Sequence, residues 1–84
     1  MFRYMAERSR AHGALGRALK EFRIERGLSQ ERLAQNSGMD RTYVGGIERG
    51  ERNPAYANVR RLAAALDIQA SRLLARAEEI EADD

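Results

Sequence analysis

The sequence contains no cysteine, no tryptophan, a single histidine and a single proline. Without cysteine there can be no disulfide and no thiolate metal ligand. His12 alone cannot build a histidine-based metal site or a catalytic triad. No constellation of paired His, Cys and carboxylate side chains supports a small enzyme or a metalloprotein. We therefore expect no catalytic residue, no metal and no cofactor.

Long apolar runs are also missing. Nowhere do about 18 apolar residues follow one another, so we expect no transmembrane helix and no membrane partner. The first residues include Arg3, Glu7, Arg8 and Arg10, which interrupt the apolar stretch that a secretory signal needs. We therefore expect a cytoplasmic protein. A chain of 84 residues makes one small domain, which is marginally stable alone and benefits from dimerisation.

Charge is distributed unevenly along the chain. The net charge is only +2, but five of the 13 acidic residues lie in the last seven positions, residues 78–84. Residues 1–77 therefore carry 15 bases against 8 acids, a net charge of +7. A basic body with an acidic end indicates a polyanionic partner. An ordinary solvated surface is the equally open alternative on this evidence alone.

Helical periodicity runs through the whole chain, and no segment alternates like a strand. The pattern predicts helices at residues 14–26, 30–36, 41–49, 56–66 and 71–79. Ser29 and Asp40 are suited to cap the second and third helices, and Gly38 is suited to the turn between them. We predict an all-α, compact five-helix bundle over residues 14–80. A flexible basic arm at 1–13 and an acidic tail at 81–84 would flank it.

The most informative stretch is residues 30–49, two short helices joined by a glycine-centred turn. Their apolar positions pack the pair against the domain and leave one face of the third helix outside. That face would carry Arg41, Thr42, Gly45, Gly46 and Arg49. Each glycine costs about 1 kcal/mol relative to alanine in a helix, so bare backbone there favours close approach to another surface. The major groove of DNA is the natural candidate.

The fifth predicted helix has more apolar positions than one small core needs. We predict that this stripe meets its copy across a two-fold axis. Its members are Leu73, Leu74, Ala77 and Ile80.

The run LSQERLAQNSGMDRTYVGGIERGERNP resembles the Cro/C1-type, or XRE-like, helix-turn-helix family. Within it, DRTYVGGIERGERN is most similar to the controller proteins of restriction–modification systems. The resemblance implies a lambda repressor-like fold and a transcriptional regulator of its own operon. It also implies a homodimer bound to an inverted-repeat operator in double-stranded DNA, with RNA polymerase as a further candidate partner. The alternatives are an antitoxin of the same fold and a phage-type repressor.

The resemblance also implies roles for individual residues. It implies base contacts from the start of the third helix, at Arg41, Thr42 and Tyr43. It implies phosphate contacts from Gln30, Arg49, Arg52 and Asn53. It further implies an ion pair between Arg23 and Glu48. Gly46 stands where many members carry a longer base-reading side chain, which shifts the expected readout toward DNA shape.

Overall fold

In the computed structural model the chain forms five α-helices. The structure describes the backbone of residues 2–83 and the side chains of residue 8 and of residues 10–83. The helices are α1 (Phe2–Glu25), α2 (Gln30–Ser37), α3 (Arg41–Glu48), α4 (Tyr56–Ala65) and α5 (Ala70–Asp83). No strand occurs within residues 2–83, and the all-α prediction is confirmed.

The three central helices begin where the sequence predicts, but the outer two are longer. α1 begins at Phe2 instead of residue 14, and α5 continues to Asp83 instead of residue 79. The segment expected as a flexible arm and most of the expected acidic tail are therefore helical. Met1 and Asp84 lie outside the described residues. Gly13 stands directly before the predicted start of the first helix at residue 14. Because a single glycine costs a helix only about 1 kcal/mol relative to alanine, α1 continues through it.

Side-chain caps define the helix-turn-helix as the sequence predicts. The hydroxyl of Ser29 accepts from the backbone N–H of Arg32 at 3.0 Å, and the carboxylate of Asp40 accepts from that of Thr42 at 2.9 Å. These caps pair N–H groups that a helix start leaves free. Gly38 ends α2 in the left-handed region, with φ of 70°, which glycine adopts without strain. The chain can therefore turn sharply from α2 into α3.

One apolar core takes side chains from all five helices. Its most deeply buried large members are Leu19, Leu33, Val44, Ile47, Leu62, Leu66 and Leu73. No helix within residues 2–83 has the length and apolar character needed to cross a membrane.

The apolar stripe of α5, predicted as a dimer interface, belongs mostly to this core. Leu73, Ala77 and Ile80 are 1%, 8% and 3% exposed, whereas Leu74 is 37% exposed. The prediction is corrected for the first three residues, because they are already buried within a single chain. The cause is α1, which packs along α5 and covers the stripe.

Gly16 sets the contact between α1 and the end of α3. A Cβ atom at Gly16 would lie 2.7 Å from the carbonyl oxygen of Glu48 and would collide with that of Ile47. The two helices therefore meet backbone to backbone, which only glycine allows. This contact orients α3, the helix on which the candidate site is built.

Candidate nucleic-acid interface

The first turn of α3 presents its polar side chains to solvent. Arg41 and Thr42 are exposed, while Tyr43 is half-buried against the core. The Tyr43 hydroxyl accepts from Nδ2 of Asn58 on α4 at 3.2 Å. Arg41 and Thr42 are thus positioned to meet an external surface, and Tyr43 also ties α3 to α4.

The middle of the same face differs from the sequence expectation. Gly45 and Gly46 are buried, although bare exposed backbone was predicted there. A Cβ atom at Gly45 would lie 3.1 Å from Nη1 of Arg49, and one at Gly46 would lie 2.8 Å from Cγ of Arg52. The two glycines therefore make room for arginine side chains that fold back over the helix. The i, i+4 spacing of Gly45 and Arg49 places both on one face of the helix, and this was the available sequence signal.

The segment after α3 carries the predicted phosphate-binding residues. Arg49, Arg52 and Asn53 are all exposed. Nε and Nη2 of Arg49 donate to the two carboxylate oxygens of Glu51 at 3.0 and 3.2 Å. This hydrogen-bonded pairing lowers the pKa of Glu51 from its ordinary value and raises the pKa of Arg49. Glu51 is a member of the site that the sequence analysis did not name.

A buried ion pair links α1 to the end of α3. Nε and Nη2 of Arg23 donate to the carboxylate of Glu48 at 2.6 and 3.0 Å. The side chains are only 12% and 3% exposed. Arg23 also donates to the carbonyl oxygen of Leu28 at 2.8 Å. The arrangement holds α3 against α1 through two charges and the loop before α2.

Gln30, at the start of α2, joins this cluster. Its Nε2 donates to Oε1 of Glu48 at 3.0 Å, and the residue is half-buried. The expected phosphate ligand therefore also acts as a third donor to the Glu48 carboxylate.

Arg61 on α4 supports the turn of the helix-turn-helix, a role that the sequence analysis missed. Its Nη2 donates to the carbonyl oxygen of Gly38 at 3.0 Å, and its Nη1 donates to Oδ1 of Asn58 at 3.5 Å. Asn58 in turn donates to Tyr43. The i, i+3 spacing of Asn58 and Arg61 places both on one face of α4, and this was the available sequence signal.

The family model described as helix-turn-helix matches residues 19–73. The chain belongs to the helix-turn-helix family. A hypothetical transcription factor of Neisseria meningitidis serogroup B is 46% identical over 56 residues, which is 67% of this chain. The chain spans about half the length of that relative, 53%. The predicted family resemblance is confirmed.

Two solved structures show the same arrangement of helices. The restriction–modification controller protein C.AhdI from Aeromonas hydrophila is 52% identical, with a TM-score of 0.73, over 74% of this chain and 94% of that one. The controller protein C.Esp1396I, as a tetramer in complex with its natural 35 base-pair operator, is 28% identical. Its TM-score is 0.78, over 86% of this chain and 95% of that one. The resemblance to controller proteins is therefore confirmed at the level of sequence and fold.

Proposed function

We propose that this protein is a transcriptional regulator of the controller class. It binds an inverted-repeat operator in double-stranded DNA as a dimer, with α3 in the major groove. The observation that carries the proposal is the first turn of α3, where Arg41 and Thr42 are exposed. Similarity to C.AhdI and to the operator-bound C.Esp1396I supports a controller over an antitoxin or a phage-type repressor.

Position along α3 divides the contacts into two kinds. Arg41 and Thr42 lie in the turn that enters the groove, where a guanidinium can bond both acceptors of guanine. Arg49, Arg52 and Asn53 lie where the chain leaves the helix, beside the sugar–phosphate backbone. They therefore supply affinity and register, while the first turn supplies sequence preference.

Gln30 and Tyr43 can bind DNA without giving up their internal partners. The amide of Gln30 has two N–H donors, and one of them bonds Glu48. The second is available to a phosphate. The Tyr43 hydroxyl accepts from Asn58 and keeps its own proton to donate.

Leu74 is the member of the α5 stripe left for contact between copies. It lies in a groove beside half-buried Leu15 of α1. Dimerisation through this groove would place the α3 helices of two copies about 34 Å apart, one turn of DNA. We place the protein in the cytoplasm with its operator, and propose no catalytic activity for it.

Footprinting on the DNA upstream of the gene for this protein tests the proposal. We expect two symmetric protected half-sites, and absence of protection would refute DNA regulation at its own promoter. Titrations on that site and on a scrambled duplex then separate the roles. Arg41→Ala should cost about 1–3 kcal/mol on the site and little on the scrambled duplex.

Arg52→Ala should weaken binding to both duplexes alike. It should also reduce the slope of the logarithm of the binding constant against the logarithm of salt concentration. The reduction should be about one unit for each phosphate that each subunit no longer neutralises. Arg60→Ala is the matched control, since it removes the same charge from an exposed position on α4. Equal weakening of both duplexes by Arg41→Ala would make Arg41 a phosphate ligand. Specificity would then come from Thr42, Tyr43 or DNA shape.

A further inference from the structure

The edge of the Arg49 guanidinium that suits a phosphate is already hydrogen-bonded to Glu51. Nε and Nη2 form the edge that binds a carboxylate or a phosphate through two parallel hydrogen bonds. In this structure both atoms donate to Glu51, at 3.0 and 3.2 Å. The remaining nitrogen, Nη1, lies over Gly45 on α3. A DNA phosphate that sought the same two bonds would have to displace the Glu51 carboxylate.

The pair is placed where such displacement is feasible. The side chains of Arg49 and Glu51 are 57% and 59% exposed, so water can replace either partner. Arg49 also shares its helix face with Arg41 and Gly45, at i, i+4 spacing. The guanidinium therefore lies along the face that meets DNA in the proposed function. Its bonding partner is a carboxylate with the charge sign of a phosphate.

We propose that Glu51 is an internal phosphate mimic, which competes with the DNA backbone for Arg49 and thereby lowers the affinity of the protein for all DNA. The proposal rests on the proposed function. Each subunit must break the Arg49–Glu51 pair before Arg49 can bind phosphate through its Nε and Nη2 edge. The released carboxylate then stays near the DNA and repels it. Because phosphates carry no sequence information, the effect is equal on cognate and non-cognate DNA, and it limits occupancy without altering specificity.

Glu51→Gln removes the competing charge and keeps the side-chain shape. Exposed ion pairs contribute only modest free energy, so we expect Glu51→Gln to bind DNA about 2- to 5-fold more tightly per subunit. The gain should be the same on the promoter and scrambled duplexes. Glu31→Gln is the matched control, because it removes the same charge from an exposed position on α2. The gain in DNA affinity from Glu31→Gln should be smaller, because it reflects only the removal of one negative charge from the protein. In an Arg49→Gln background, Glu51→Gln should give no gain beyond that of Glu31→Gln.

A gain from Glu51→Gln no larger than that from Glu31→Gln would overturn the proposal. So would a gain that persists fully without Arg49. Weaker binding by Glu51→Gln would overturn it too, by showing that Glu51 instead positions Arg49 for DNA. Failure of the wild-type protein to bind either duplex would overturn the proposed function as well, which separates the two failures.

Carboxyl-carbon NMR titration of Glu51 gives a second measurement. In the free protein its pKa should lie below that in Arg49→Gln, because the guanidinium hydrogen bonds favour the carboxylate. Saturating promoter duplex should remove this difference. A Glu51 that still titrates as the partner of Arg49 in the DNA complex would contradict the displacement.

Discussion

Replacing Glu48 by alanine should destabilise the whole domain and not merely the candidate nucleic-acid interface. The Glu48 carboxylate accepts three hydrogen bonds, two from Arg23 and one from Gln30. Its side chain is 3% exposed and that of Arg23 is 12% exposed. Glu48→Ala therefore leaves a guanidinium charge buried without its counter-charge. The bond from Arg23 to the carbonyl oxygen of Leu28 keeps the guanidinium in place, so it cannot easily escape to water.

Breaking a buried ion pair in this way costs about 3–5 kcal/mol, because the remaining charge has lost its counter-charge and has little water around it. That is a large part of the total stability of a small domain, about 5–15 kcal/mol. At about 4–8 °C per kcal/mol for a domain of this size, the melting temperature should fall by at least about 12 °C. DNA binding should fall with it, since α3 is held against α1 through this pair.

Thermal unfolding followed by circular dichroism measures the effect. Glu51→Ala is the matched control: it also breaks a two-bond pair with an arginine, but both partners are largely exposed. It should melt close to the wild-type temperature. Equal melting of Glu48→Ala and the wild type would refute the reasoning, because it would mean that the stranded charge regains water at no cost.

Two further changes test other parts of the fold. Leu74→Ala should shift the protein toward monomer in sedimentation with little change in melting temperature. The control Ile24→Ala, at an exposed apolar position on α1, should leave the dimer unchanged. A dimer unaffected by Leu74→Ala would place the interface elsewhere. The hydrogen bonds from Arg76 lower the pKa of Glu21, so this link between α1 and α5 stabilises the fold above the ordinary carboxyl pKa and fades as the pH falls through the lowered value. In melts at several pH values, Glu21→Gln should therefore cost up to about 1 kcal/mol near neutrality, and this cost should shrink as the pH falls below the ordinary carboxyl pKa. A cost that does not change with pH would contradict this.

Features that depend on neighbouring residues were predictable from the sequence. The caps at Ser29 and Asp40 and the left-handed turn at Gly38 each involve atoms within a few residues, so residue type and spacing are enough to place them. The same holds for the starts of α2, α3 and α4. Arg23 and Glu48 are 25 positions apart, and their pairing came from the family resemblance instead.

Only the tertiary structure decided which apolar and polar surfaces are covered. Periodicity identified the stripe of α5, but its burial depends on α1 packing along it, which the pattern of α5 alone does not show. The glycines of α3 were predicted as bare backbone, yet Arg49 and Arg52 lie over them. The partner that such a side chain binds, as Arg49 binds the carboxylate of Glu51, depends on three-dimensional proximity and on competition among the available partners. A one-dimensional pattern carries neither.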